Sequence, residues 1–291
     1  MLNALTIDIE DYFQTEAVAS VVHRGDWDRF QSRIEHNTWR LLELLDRRQI
    51  RATMFFLGWV AERYPQLVKT AAEHGHEVAC HSYWHRPVFR LTPDEFREDT
   101  RHAKNVIENC IGRSIKGYRA PCFSILSGMN WAHDILTEEG FIYSSSSNPI
   151  RHVFCDDPYA SRLPYRTRSG LWEFPITTWR VLGTNLPVGG GAYLRILPFR
   201  YVSAGLQQVA DSGETLMTYL HPWEIDPDQP KIKAGLTSWL RQYTGLRSME
   251  SRLEKLIARH SFDTIENAYG NYLNTVPLGL DFRQIVIGGH V

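Results

Sequence analysis

The chain has 291 residues, 43% hydrophobic and 22% charged, enough to bury a sizeable core in one large domain or a domain with an extension. Its 32 basic and 33 acidic side chains leave a formal charge of -1. Taken over the whole chain, that balance gives no electrostatic reason to expect nucleic acid or an anionic membrane as partner.

The first stretch, MLNALTIDIEDYF, has no basic region before its carboxylates and reads as lacking a cleavable export signal. No apolar run is long enough for a transmembrane segment. Cys80, Cys110, Cys122 and Cys155 form no CxxC pair and read as reduced, mostly buried thiols, which favours a cytoplasmic location.

Ala4 to Ile9 is a continuous apolar run broken by Asp8, as expected of a strand buried on both faces. A helical pattern follows, with Asn37 as its N-cap and Leu41, Leu44 and Leu45 on one face. Arg51 to Leu57 reads as the next strand and Val60 to His74 as one helix stopped by Gly75. The run EVACHS is then a strand entering HSYWH. Thr92, Pro93 and Glu95 announce a capped helix that runs to about Cys110 and stops at Gly112. SIKGYRAP is a strand running into a loop, and Met129 to Glu139 another helix. FIYSS, LWEFPI and TLMTYLH read as further strands, with a helix from about Phe199 to Asp211. After His221 come a Pro- and Asp-rich run and a helical pattern near Met249 to Arg259, while the end from about Gly270 has no clear pattern.

Strand and helix in repeated succession imply an α/β fold with a parallel sheet, open or closed into a barrel. In either form functional groups gather at the carboxyl ends of the strands. Asp8, His81, Arg119, Glu173 and His221 all fall at such ends, which is the main indication of a site.

His81 and His85 lie four apart, so a helical turn after the strand would aim both imidazoles one way, as a metal pair requires. His76 reads as structural. In TIDIED, alternation puts Asp8 and Glu10 on one strand face, with Asp11 next. Two neutral imidazoles and a carboxylate suit zinc or another divalent metal with open positions, and a second carboxylate can serve as base. Glu10 is the favoured carboxylate ligand, with Asp11 pointing the other way if the strand continues and then suited to capping or a contact to a ligand histidine; Asp11 replaces it if the strand ends at Ile9 and a turn brings Asp11 inward. Arg119 could pair with the base and hold it ionised, and His221 could protonate a leaving amine.

In this order, TIDIED, HSYWH, RAP at Arg119 to Pro121, LWEFP near Trp172 and YLH ending at His221 resemble the NodB-type polysaccharide deacetylases. The resemblance covers roughly Leu2 to Trp223. The DxEDYF start and the tail HPWEIDPDQP are most similar to the subgroup found with exosortase and exopolysaccharide loci. The resemblance implies a distorted (β/α) barrel and metal-dependent removal of acetyl from N-acetylated sugars. It implies Asp8 as base, His81 and His85 as ligands, Arg119 tuning Asp8, and His221 as acid. The chain departs from the family pattern where Ile9 separates Asp8 from Glu10, where Cys122 follows the proline, and where Tyr219 replaces leucine. The backbone N–H at Cys122 could still serve an oxyanion. Trp172 could help line an acetyl pocket, and Trp223 and Glu224, directly after His221, the cleft rim.

The expectation is therefore a NodB-like deacetylase domain over residues 1–225 and an extension over 226–291 packed on the barrel. The metal would be zinc, with cobalt, manganese or nickel as alternatives, and the substrate an N-acetylated carbohydrate. Hydrolysis of a small non-carbohydrate amide and an inactive sugar-binding protein are the rival readings. Sequence leaves the polymer and the oligomeric state open.

Overall fold

The structure is a computed structural model that describes residues 1–151 and 157–274. Cys155 and the chain beyond Asn274 lie outside the described residues. The strands are β1 (Asn3–Ile9), β2 (Thr53–Phe56), β3 (Glu77–Cys80), β4 (Gly117–Tyr118), β5 (Tyr143–Ser144), β6 (Tyr165–Arg166), β7 (Trp172–Glu173), β8 (Thr178–Val181), β9 (Thr184–Pro187), β10 (Met217–Leu220) and β11 (Phe262–Asp263). The main sheet runs β10-β1-β2-β3-β4-β5-β7-β6, and β11 also pairs with β1. All its pairings are parallel except β6 with β7. The sheet curls into a half-barrel, the distorted (β/α) barrel that the family resemblance implied. β8 and β9 form a separate antiparallel hairpin.

Every residue of β1 is buried, as the continuous apolar run requires of a strand covered on both faces. The register sets Asp8 opposite Phe55 of β2, and Ile7 opposite Leu220 of β10. That alignment brings the carboxyl ends of β1 and β10 side by side. Helices cover the outer face, and the helix Pro93–Ile111 begins and ends as its sequence signals. Thr92 and Glu95 form a reciprocal capping box, and Gly112 closes it in the left-handed conformation.

Two local expectations are corrected. The helix expected over Val60 to His74 is two helices, Gly58–Arg63 and Pro65–Glu73. Pro65 lacks the N–H a continuous helix needs and instead starts the second. Asn37 is no N-cap: it lies inside the helix Ile34–Arg47, where its amide donates to Asp226 Oδ2 (3.1 Å). The capping is done from afar by Asp11, whose Oδ2 accepts from the backbone N–H groups of Arg33 (2.8 Å) and Ile34 (3.1 Å).

The segment after residue 225 enters the sheet itself through β11. At this amino end of the strands, Glu77 is buried and accepts from Thr53 Oγ1 (2.6 Å), Tyr143 Oη (2.5 Å) and the Glu266 N–H (3.1 Å). Burial outweighs those bonds and pushes its carboxyl up from 4.5 to about 7. A raised carboxyl contributes stability that is complete below the unfolded value and is lost as pH rises through the folded one. Wild-type protein should therefore lose on the order of 2–3 kcal/mol relative to Glu77→Gln between about pH 4 and pH 8. Denaturant titrations of both proteins at a series of pH values would check this. Parallel stability curves would show that Glu77 stays ionised.

Candidate active site

The carboxyl ends of β1, β3, β4 and β10 open into one cleft lined by Asp8, Glu10, His81, His85, Tyr219 and His221 among others. Asp8 comes from β1 itself. Glu10, His81, Arg119 and His221 each lie one residue beyond their strand, where the backbone leaves the ladder but its position is still set by it.

Arg119 is fully buried, and each part of its fork is held. Nε donates to the Ser145 carbonyl (3.1 Å) and Nη2 to Ser145 Oγ (2.9 Å). Nη1 donates to Thr6 Oγ1 and to Asp8 Oδ1, both at 2.7 Å. The guanidinium also lies 4.2 Å from the centre of the Phe55 ring. Glu173 does not reach the cleft. It accepts from the N–H groups of Ser146 (2.6 Å) and Ser147 (2.9 Å), fixing the loop that carries Ser145.

The two histidines are not aimed by a helical turn, as the spacing alone suggested. Residues 81–85 form an irregular loop with Ser82 (φ 63°) and His85 (φ 51°) in the left-handed region. His85 N–H donates to Ser82 Oγ (3.1 Å), and the His85 carbonyl accepts from Arg24 Nη2 (3.0 Å). His81 Nδ1 lies 2.8 Å from the Arg119 carbonyl. A carbonyl only accepts, so the proton sits on Nδ1 and Nε2 keeps its lone pair. Burial holds His81 down to about 4, in the neutral form that binds metal.

Glu10, His81 and His85 each offer a ligand atom, all within 4.8 Å of one another. Glu10 Oε2 lies 2.7 Å from His85 Nε2, yet it is a buried oxygen with no aligned hydrogen-bond donor among the described residues. A buried carboxylate converging with two imidazoles supplies three donors of the kind that hold a divalent ion. Burial by itself would raise the Glu10 carboxyl. His85, then His221 and His81, outweigh it and hold the group at about 2. The donor set fits a borderline divalent ion.

Asp11 stands apart from this group. Its carboxylate also accepts from Ser32 Oγ (2.8 Å) and the Tyr12 N–H (2.9 Å), in addition to the two helix N–H groups above. Burial nevertheless raises it to about 6.

His221 faces the ligand group across the cleft. Its Nε2 lies 3.6 Å from Glu10 Oε1 and 3.9 Å from Asp8 Oδ2. Its Nδ1 is 3.1 Å from Glu224 Oε2, and Glu224 Oε1 accepts from the fully buried Arg195 Nε (2.6 Å). Burial would lower His221, but Glu224, then Glu10 and Asp8, raise it to about 9. Trp223 stacks on the His221 ring (5.3 Å between centroids) and donates Nε1 to Glu10 Oε1 (3.3 Å).

Tyr219 packs edge-on against Phe123 (4.8 Å) and His221 (5.7 Å). It fits only because Gly190 lies beneath it: a Cβ there would come within 2.0 Å of the Tyr219 carbonyl, and φ is 131°. Cys122 and Phe123 line the cleft from a loop with φ of 56° and 55°. Trp172 is not among the lining residues. It stacks on Phe174 (6.1 Å) and meets Tyr272 edge-on (5.2 Å). His76 is also remote, accepting from the Ala52 N–H (3.1 Å) near the opposite end of β3.

Sequence reading missed Arg195 and Glu224 as supports of His221. The spacing His221-x-x-Glu224, a capping-box pattern, was the one available signal for Glu224. Nothing local marked Arg195. Thr15, Glu16, Arg241 and Gln242 also line the cleft and carried no signal either.

The curled parallel half-barrel carries a Glu-His-His group at the carboxyl edge of its sheet. Residues 25–133 match the family model described as "Polysaccharide deacetylase". Residues 145–270 match one described as "Domain of unknown function (DUF3473)". A "Peptidoglycan-N-acetylglucosamine deacetylase" of Bacillus cereus is 31% identical over 104 residues, covering 35% of this chain and 36% of that protein. The similarity thus spans about a third of that relative's length. Two solved structures share the fold. A probable polysaccharide deacetylase from Pseudomonas aeruginosa has a TM-score of 0.64 at 17% identity, covering 95% of this chain and 92% of the other. The "putative polysaccharide deacetylase from Mycobacterium smegmatis" has a TM-score of 0.61 at 21% identity, covering 93% and 89%.

Proposed function

We propose that the protein hydrolyses N-acetyl groups from amino-sugar units of a polysaccharide or its precursor. The observation that carries this reading is the Glu10-His81-His85 group directly facing Asp8 and His221. Glu10, His81 and His85 would hold a divalent metal, zinc first among the candidates. Such an ion supplies a Lewis acid that acidifies water and polarises an acetyl carbonyl.

The remaining chemistry belongs to the chain. Arg119 anchors Asp8 through Oδ1, leaving Oδ2 toward the cleft to take the proton of the attacking water. His221, raised to about 9, carries a proton at neutral pH. Glu224 takes the Nδ1 side, so Nε2 delivers its proton to the departing amine nitrogen. The N–H of Cys122 would face the oxyanion, and Tyr219 and Trp223 would form the walls around the acetyl group. Trp172, held among Phe174 and Tyr272, supports the β7 side instead. The name of the Bacillus cereus relative supports an N-acetylated amino sugar as substrate. The presence of base, ligand and acid together favours catalysis over sugar binding alone.

Acetylated chitooligosaccharides should release acetate with this protein, stop doing so after chelation, and resume when zinc is restored. Release that survives exhaustive chelation would defeat the metal assignment. Silence on all N-acetylated sugars, with turnover of small cyclic amides, would favour the rival amidohydrolase.

A further inference from the structure

The helix Leu236–Tyr243 is inside out. Its buried residue is the polar Gln242, whose Nε2 donates to the Tyr12 carbonyl (3.0 Å) and whose Oε1 accepts from Thr15 Oγ1 (3.1 Å). Its large apolar residues face water: Leu236 is 76% exposed, Trp239 43% and Leu240 48%. Positions 236, 239 and 240 share one face of a helix. An apolar face left outward while a glutamine is turned inward marks an interaction surface.

The flanks of this face are basic. Lys231, Lys233 and Arg247 are exposed, and no acidic residue occurs between Asp228 and Glu250. The overall charge of -1 averages this local excess away. Leucine and tryptophan on one helical stripe, bordered by lysine and arginine, match the boundary between lipid headgroups and acyl chains. The inner side of the same helix faces the cleft, which Arg241 and Gln242 line.

We propose that this face docks the protein on an anionic lipid bilayer. Leu236, Trp239 and Leu240 enter the interface, and Lys231, Lys233 and Arg247 meet the headgroups. Docking then holds the cleft about one helix diameter, roughly 10 Å, from the bilayer surface. It requires neither metal nor catalysis.

Flotation with vesicles of mixed phosphatidylcholine and phosphatidylglycerol tests the proposal. The protein should float with the mixed vesicles, at least about tenfold less with pure phosphatidylcholine, and less as salt is raised. Leu236→Ser combined with Leu240→Ser should weaken partition by about tenfold or more. Lys231→Glu combined with Lys233→Glu should do the same on the anionic vesicles. All four positions are exposed, so circular dichroism and thermal midpoint should match wild type. Failure of the wild type to float with the mixed vesicles, or unchanged partition of the leucine pair, overturns the proposal. Self-association in sedimentation that the leucine pair abolishes would assign the face to a second copy and overturn it as well.

Discussion

Asp8→Asn should keep its metal and lose turnover by about a hundredfold or more. The amide is nearly isosteric, and its oxygen can still accept from Arg119 Nη1, so the geometry around Oδ1 is preserved. What disappears is an oxygen able to take a proton where Oδ2 faces His221 Nε2 across 3.9 Å. Fully buried Arg119 also loses its countercharge, so the variant should be less stable by about 3–5 kcal/mol and assays belong well below its melting point. Acetate release and bound zinc, measured on the same preparation, decide the matter. Full activity would reverse the assignment of base, and loss of zinc would make Asp8 a ligand.

The second large effect separates neighbouring carboxylates. Glu10→Ala should weaken zinc binding by more than about a hundredfold, since it removes one of three converging donors. Asp11→Ala should keep zinc and lose stability instead. It strips the cap from the helix Ile34–Arg47, taking the acceptor from the Arg33 N–H and leaving the Ile34 N–H only Ser32 Oγ (3.3 Å), a cost of about 2 kcal/mol. Equilibrium dialysis with zinc and denaturant unfolding should therefore sort the two variants in opposite ways. Zinc retained in Glu10→Ala but lost in Asp11→Ala would exchange the roles proposed for them.

The contrast between those carboxylates shows where reading a sequence stops. β1 ends at Ile9, the case in which a turn was to bring Asp11 inward, yet Glu10, one residue past the strand, lines the cleft beside Asp8 and Asp11 does not. The fate of Asp11 depended on a helix that begins more than twenty residues later, and no neighbour in sequence announces it. The same distinction explains Asn37, a good capping residue by type, whose partner Asp226 is remote in the chain.

Much of the architecture was legible for local reasons. The buried run of β1, the capping box at Thr92 and Glu95, the stop at Gly112 and the succession of strands and helices all follow from propensity, periodicity and capping. The polar groups at strand ends were legible too, since a parallel sheet puts such ends on one side. Folding alone decided how those groups meet. The left-handed loop at Ser82 and His85 aims the two imidazoles where a helical turn was expected. Arg195 reaches Glu224 from another element, and Glu224 in turn holds a proton on His221. Gln242 turns inward to Tyr12 and Thr15, and thereby turns Leu236, Trp239 and Leu240 outward. Sequence determined the elements because their energies lie within a few neighbouring residues. The site and the exposed face were decided by contacts between residues far apart in the chain, whose partners are set only when the sheet curls and closes.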